Sequence, residues 1–332
     1  MKTVILGSGA TFGTLPDGPT TDGFGCALGA RMAAQGKDWQ QEYRSLAKVV
    51  ADVRPEGPGW DLAEVWIRID YFSKLPRLRD GGDYGPNASF DVHAAVLEVY
   101  GQQLCGDLDG LLANARPFTL KDIVAGLEPG DALVSFNWDV VSESIANYVH
   151  VNLVQAPRAA NDSSVQLIKP HGSVSWRHRW PQRSVDMCAT PAPCTSPLLP
   201  HEVRQYIQPF VVGAVPVKSE LIREVQGDGP SSPYTVLVEQ WATFMEAIVN
   251  ADDVVVAGYG FPNDDAYGRF LIQEAVARRT KAIHRLCFYE RECAHTAMSA
   301  TLSKLFKVVS PEWLGPVTLA NKALEPTAPE RR

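Results

Sequence analysis

Thr3-Val4-Ile5-Leu6-Gly7-Ser8-Gly9-Ala10-Thr11 opens the chain with a short apolar, β-favouring run that a glycine turn breaks. Such a run, apolar on both of its faces, reads as a strand buried in a parallel sheet. Runs of the same kind recur at Ala132-Leu133-Val134-Ser135-Phe136, Val165-Gln166-Leu167-Ile168, Asp253-Val254-Val255-Val256, Leu286-Cys287-Phe288-Tyr289 and Phe306-Lys307-Val308-Val309. Between them lie helical stretches: Val140 to Val149, a helix carrying Leu237, Val238, Trp241, Phe244, Met245 and Ile248, and a third from about Asp264 to Arg279. Strands that alternate with helices predict an α/β fold built on a doubly wound parallel sheet.

The first two strands stand far apart, and the intervening text has helical periodicity. Asp61 and Glu64 have capping-box spacing, after which Leu62, Val65, Trp66, Ile69 and Phe72 share one face until Pro76. Val92, Ala95, Val96, Val99 and Tyr100 share another face, and Thr119 with Asp122 starts a short helix. The stretch from about 35 to 118 therefore reads as a helical module inserted into one domain spanning residues 1–315. Beyond His171 the text becomes loop-like, with seven prolines from Pro181 to Pro216, and a Pro-rich loop region is expected at about 177–235. Residues 316–332 lack apolar periodicity and read as a disordered tail.

The 332 residues carry 31 Lys+Arg against 38 Asp+Glu, a formal net charge of −7 with no basic block. That balance lacks the electrostatic footprint of a nucleic-acid binder or of a protein held on anionic membranes. Gly7 ends the first apolar run too early for a signal-peptide core, and no stretch approaches the roughly 18 apolar residues of a membrane span. A soluble, cytoplasmic protein is expected. Six cysteines are too sparse for a disulfide scaffold, and most are expected to be buried, inert thiols.

Four strand ends carry the polar residues that chemistry needs. Gly7, Ser8 and Gly9 bring a backbone without Cβ bulk next to a helix start, where N–H groups and the helix dipole suit a diphosphate. The spacing G-x-G-x-x-G is not met, because Phe12 precedes Gly13, and on this motif alone a plain glycine turn is the favoured reading. Asn137 and Asp139 follow the second strand on one face, at the edge where open α/β sheets bind ligands; alternatively Asp139 caps the next helix and Asn137 satisfies a turn. His171, within Lys169-Pro170-His171-Gly172-Ser173-Val174-Ser175-Trp176, follows another strand and is placed as a general base. Gly258-Tyr259-Gly260 then leads towards a helix, either lining a ribose or forming another loop with Asp264 or Asp265 as its cap.

The ordered set Gly7-Ser8-Gly9-Ala10-Thr11, Phe136-Asn137-Trp138-Asp139, Lys169 to Trp176 and Gly258-Tyr259-Gly260 resembles the prokaryotic sirtuin-like (silent information regulator-like) NAD-binding domain, over about residues 1 to 310. The resemblance implies a Rossmann-like fold with NAD bound as substrate. It implies that Gly7, Ser8 and Gly9, with Ala10 and Thr11, cradle the diphosphate. It further implies that Asn137 and Asp139 lie around the nicotinamide ribose, that His171 acts on the ribose hydroxyls, and that Gly258, Tyr259 and Gly260 meet the adenosine side. Gly260 stands where the family usually has serine. Sirtuin deacylases also carry two C-x-x-C pairs for zinc, whereas this chain offers Cys188 and Cys194 with five residues between them, and Cys287 with Cys293 at the same separation. No zinc is expected.

The resemblance thus implies an NAD glycohydrolase cleaving the nicotinamide–ribose bond, as in sirtuin-like effectors of bacterial antiphage defence. Catalysis would rest on His171 as base, Asn137 orienting ribose and water, and Asp139 at the nicotinamide end. An NAD-dependent protein deacylase and a non-catalytic NAD or ADP-ribose sensor are the rival classes. A homo-oligomer is compatible with the sequence, which names no partner protein.

Overall fold

A computed structural model describes residues 1–15, 23–53, 59–74, 86–113, 118–157, 161–179, 184–187, 207–211, 233–262 and 265–317. The first strand, β1 (Lys2–Leu6), runs straight into the seven-residue helix α1 (Ser8–Thr14). Helices follow: α2 (Phe24–Ala34), α3 (Trp39–Glu42), α4 (Arg44–Val53), α5 (Leu62–Lys74), α6 (Pro86–Val96), a π-helical stretch at Leu97–Gln103, α7 (Leu104–Ala113) and α8 (Thr119–Ala125). The α5 start matches its capping signal, for Asp61 Oδ1 accepts from the Ala63 N–H at 2.7 Å. Its face of Leu62, Val65 and Ile69 is buried.

The alternating part begins with β2 (Ala132–Ser135), α9 (Val141–Tyr148), β3 (Leu153–Gln155) and β4 (Val165–Ile168). After β5 (Gly172–Arg179), β6 (Ser184–Asp186) and β7 (Ile207–Val211) come α10 (Pro233–Asn250), β8 (Asp253–Ala257), α11 (Ala266–Arg278), β9 (Arg285–Tyr289), α12 (His295–Phe306) and β10 (Glu312–Trp313). The main sheet has seven strands in the order β10-β9-β8-β1-β2-β4-β3, and every pairing is parallel. The fold is the α/β parallel sheet that the strand–helix alternation predicts.

Alternation along β1 explains why helices cover both faces. Val4 and Leu6 point into one apolar cluster, formed with α2, α4, α5, α6 and α9. Ile5 points into the other, formed with α10, α11 and α12. In α10, Leu237, Trp241, Phe244 and Ile248 recur at helical spacing and are all buried against that second face.

Two readings need correction. The stretch after His171 is not simply loop: β5, β6 and β7 form a three-stranded antiparallel sheet in the order β6-β5-β7. Proline density hid it, although Pro209 sits in β7, which is paired only with β5 among the described strands, an edge position where proline is tolerated. Phe306 to Val309 is not a strand. Leu302, Leu305 and Phe306 are buried on one face of α12, Lys307 ends that helix in the left-handed region at φ 55°, and Val309 is 95% exposed. The last parallel strand is β10 instead. Cysteine burial also departs from expectation: Cys287 is buried, but Cys26 and Cys293 are exposed. Cys188, Cys194 and residues 318–332 of the expected tail lie outside the described residues.

Candidate functional site

Four strands of the main sheet end at the same edge, and the residues that follow each of them converge. A cavity of about 310 Å³ opens there, lined by Ser8 and Thr11 after β1, Phe136 to Asp139 after β2, His171 after β4, and Tyr259, Gly260, Pro262 and Asp265 after β8. Asp61, Ala63 and Tyr100 close it from the helical segment between β1 and β2. The β1 strand sits between β2 and β8, so the chain winds outward from it in both directions. Ligands of open α/β sheets occupy this switch point.

The glycine turns meet each other at close range. Gly7 N–H donates to Ala257 O at 3.0 Å and Gly9 N–H to Gly258 O at 2.9 Å. A Cβ on Gly7 would stand 2.5 Å from the Tyr259 Cα, and one on Gly258, at φ +60°, 2.0 Å from the Ala10 nitrogen. Glycine is therefore required here by backbone-to-backbone packing between the β1 and β8 turns. Of the five residues at the first turn, Ser8 and Thr11 line the cavity, while Gly7, Gly9 and Ala10 stand behind them. Of the late turn, Tyr259 and Gly260 line it and Gly258 does not.

Asn137 and Asp139 share one hydrogen-bonded chain with α1. Asn137 Nδ2 donates to Gly7 O and to Thr11 Oγ1, each at 3.0 Å, and Thr11 Oγ1 donates to Asp139 Oδ2 at 3.0 Å. Asp139 is 3% exposed and lines the cavity, and its Oδ1 accepts from the N–H of Val141, the first residue of α9, at 3.0 Å; the N-cap itself is Val140. Burial pushes its carboxyl above the ordinary value, against the pull of the Lys169 ammonium. Lys169 is wholly buried beneath this layer, with Nζ donating to Glu143 Oε1 at 2.7 Å and to the Asp139 carbonyl.

His171 is also buried, with Nε2 3.0 Å from Asp265 Oδ2. Phe136 packs edge-on against its ring at 5.1 Å and stacks on Tyr259 at 4.1 Å. The Tyr259 hydroxyl donates to the same Asp265 oxygen. Burial, with the Asp265 charge, raises the Tyr259 phenol well above its ordinary value and keeps it protonated. Asp265 Oδ1 accepts from the Gly268 N–H at 3.3 Å and caps α11. The cap was legible in the sequence; the His171 contact was not, since 94 positions separate the two residues and no local periodicity joins them.

No protein-family model matches the chain, and no curated protein matches it. Three solved structures are similar over 92% of this chain and 90% of their own. They are a Sir2 homologue point mutant in complex with ADP ribose, at 14% identity and a TM-score of 0.33; a second such point mutant, at 12% and 0.32; and a triple mutant of Sir2 homologues in complex with 2′-O-acetyl ADP ribose, at 14% and 0.33.

Proposed function

We propose that the cavity binds the nicotinamide–ribose half of NAD and that the protein hydrolyses the bond between them. The observation that carries this reading is the composition of one strand-end cleft: His171 and Asn137 line it with three carboxylates, Asp61, Asp139 and Asp265, and no Lys or Arg is among its described lining residues. Such a lining suits a group that is positive or becomes so. Nicotinamide in NAD carries a positive ring, and its departure leaves an oxocarbenium-like ribose.

In the proposed reaction the C1′–N bond breaks and nicotinamide leaves with the electron pair. A water oxygen bonds to C1′, and its proton passes to His171 and then to solvent. Asn137 orients the ribose and the water, and Asp139 lies towards the nicotinamide end. Ser8, Thr11, Tyr259 and Gly260 are the ligand-facing members of the two turns, whereas Gly7, Gly9, Ala10 and Gly258 shape the turns that present them. A role in antiphage defence rests on the motif resemblance; its test is NAD depletion and loss of plaques in cells expressing the parent but not His171→Ala.

Purified protein incubated with NAD should release nicotinamide and ADP-ribose in equal amounts without any peptide. Turnover only with an acetyl-lysine peptide would replace hydrolysis with deacylation. Tight NAD binding with no products from either mixture would make the site a sensor.

A further inference from the structure

Asp265, to which the motif resemblance assigns no role, has its carboxylate against the proposed base. Asp265 is wholly buried, and three groups converge on its carboxylate: the Tyr259 hydroxyl and His171 Nε2 at Oδ2, and the Gly268 N–H at Oδ1. A carboxylate is an acceptor only, so the contact at Oδ2 is a hydrogen bond when His171 Nε2 carries a proton. An imidazole protonated on Nε2 keeps its lone pair on Nδ1. We infer that Asp265 is a positioning residue for the proposed reaction: it holds His171 in the neutral Nε2–H tautomer and at one ring angle, while Tyr259 and the α11 N-terminus hold Asp265.

This rests on the hydrolase reading for its catalytic meaning, but the tautomer stands apart from turnover. The ring also packs T-shaped against Phe136, with centroids 5.1 Å apart, so its rotation is restricted by packing as well as by the hydrogen bond. What the carboxylate adds is the choice between the two ring nitrogens. Exchanging an aspartate for asparagine in a His–Asp pair preserves shape yet reverses that choice, because the amide nitrogen donates where the oxygen accepted.

The test is long-range ¹H–¹⁵N NMR on histidine-labelled protein at pH 8, with the His171 signals identified by their loss in His171→Gln. The unmutated protein should show a pyrrole-type Nε2 and a pyridine-type Nδ1. Asp265→Asn should shift the ring towards the Nδ1–H form and lower kcat for NAD cleavage by about 10²-fold or more, with KM within a few-fold. Tyr259→Phe, which keeps the carboxylate and removes one tether, should lower kcat by less and leave Nε2–H predominant. An Nδ1–H ring in the unmutated protein overturns the inference without any variant, even if Asp265→Asn does not fold. So does an Asp265→Asn protein whose tautomer and kcat are unchanged. An Nε2–H ring in a parent that leaves NAD intact supports the pairing and removes the hydrolase reading instead.

Discussion

Gly258 and Gly260 sit two residues apart in one turn and respond to different constraints. Gly258 is left-handed and its missing Cβ would overlap the Ala10 nitrogen, whereas nothing lies within 4 Å of a Cβ on Gly260. Gly258→Ala should cost about 2–4 kcal/mol from strain and overpacking together; Gly260→Ala should stay within about 0.5 kcal/mol. Urea melts of the two variants check this. Asp139 supplies a second residue-scale prediction. Its folded carboxyl titrates above the ordinary value of 3.8 because burial disfavours the charge, so its contribution to stability is present below that value and is lost as pH rises through the raised one. Asp139→Asn keeps an acceptor for the Val141 N–H without the charge. Its stability relative to the parent should therefore improve as pH rises from 3.8 towards neutrality, measured by denaturant midpoints across that window. His171→Ala and Asn137→Ala should each lower NAD cleavage by about 10²- to 10⁴-fold, and Asn137→Ala should also cost about 1–2 kcal/mol, for it releases the Gly7 carbonyl and Thr11. Product assays beside thermal melts separate the two effects.

Between elements, the buried Lys169–Glu143 pair ties the end of β4 to α9, directly under the polar layer of the cleft. Glu143 also accepts from the Ser142 hydroxyl at 2.7 Å, and the pair is out of contact with water. Removing one partner strands a buried charge, so Lys169→Met should cost about 3–5 kcal/mol; adding Glu143→Leu should recover most of it. Equilibrium unfolding of the single and double variants tests that. The sequence placed both elements, β4 as an apolar run and α9 as the helical stretch Val140 to Val149. It was silent on the pair, since Lys169 reads as an ordinary strand-end lysine and Glu143 as a solvated helix residue. The small β5–β6–β7 sheet was hidden for a related reason: β5 pairs locally with β6, but β7 reaches it from 28 to 39 positions away (Arg179 with Ile207, Gly172 with Val211), and the prolines between them carry the stronger local signal.

Across the whole molecule, ligand binding to the cleft should stabilise every element that closes it, those after β1, β2, β4 and β8 and the α5 start alike. NAD at 100 times its Kd should raise the unfolding free energy of the non-hydrolysing His171→Ala protein by about 2.7 kcal/mol, read as an upward shift in Tm. Elemental analysis should find no stoichiometric zinc, as expected from cysteine pairs with five residues between their members. Local periodicity alone established the parallel strands β1, β2, β4, β8 and β9, the helices that cover them, and the placing of Asn137, His171 and Tyr259 at strand ends, because burial on both faces writes itself into consecutive residues. Which of those ends meet is a matter of strand order, and strand order depends on packing between segments far apart in the chain. Only the folded sheet, with β1 between β2 and β8, presses Gly9 against Gly258, threads Asn137 through Thr11 to Asp139, and carries Asp265 from the far side of the chain to within 3.0 Å of His171.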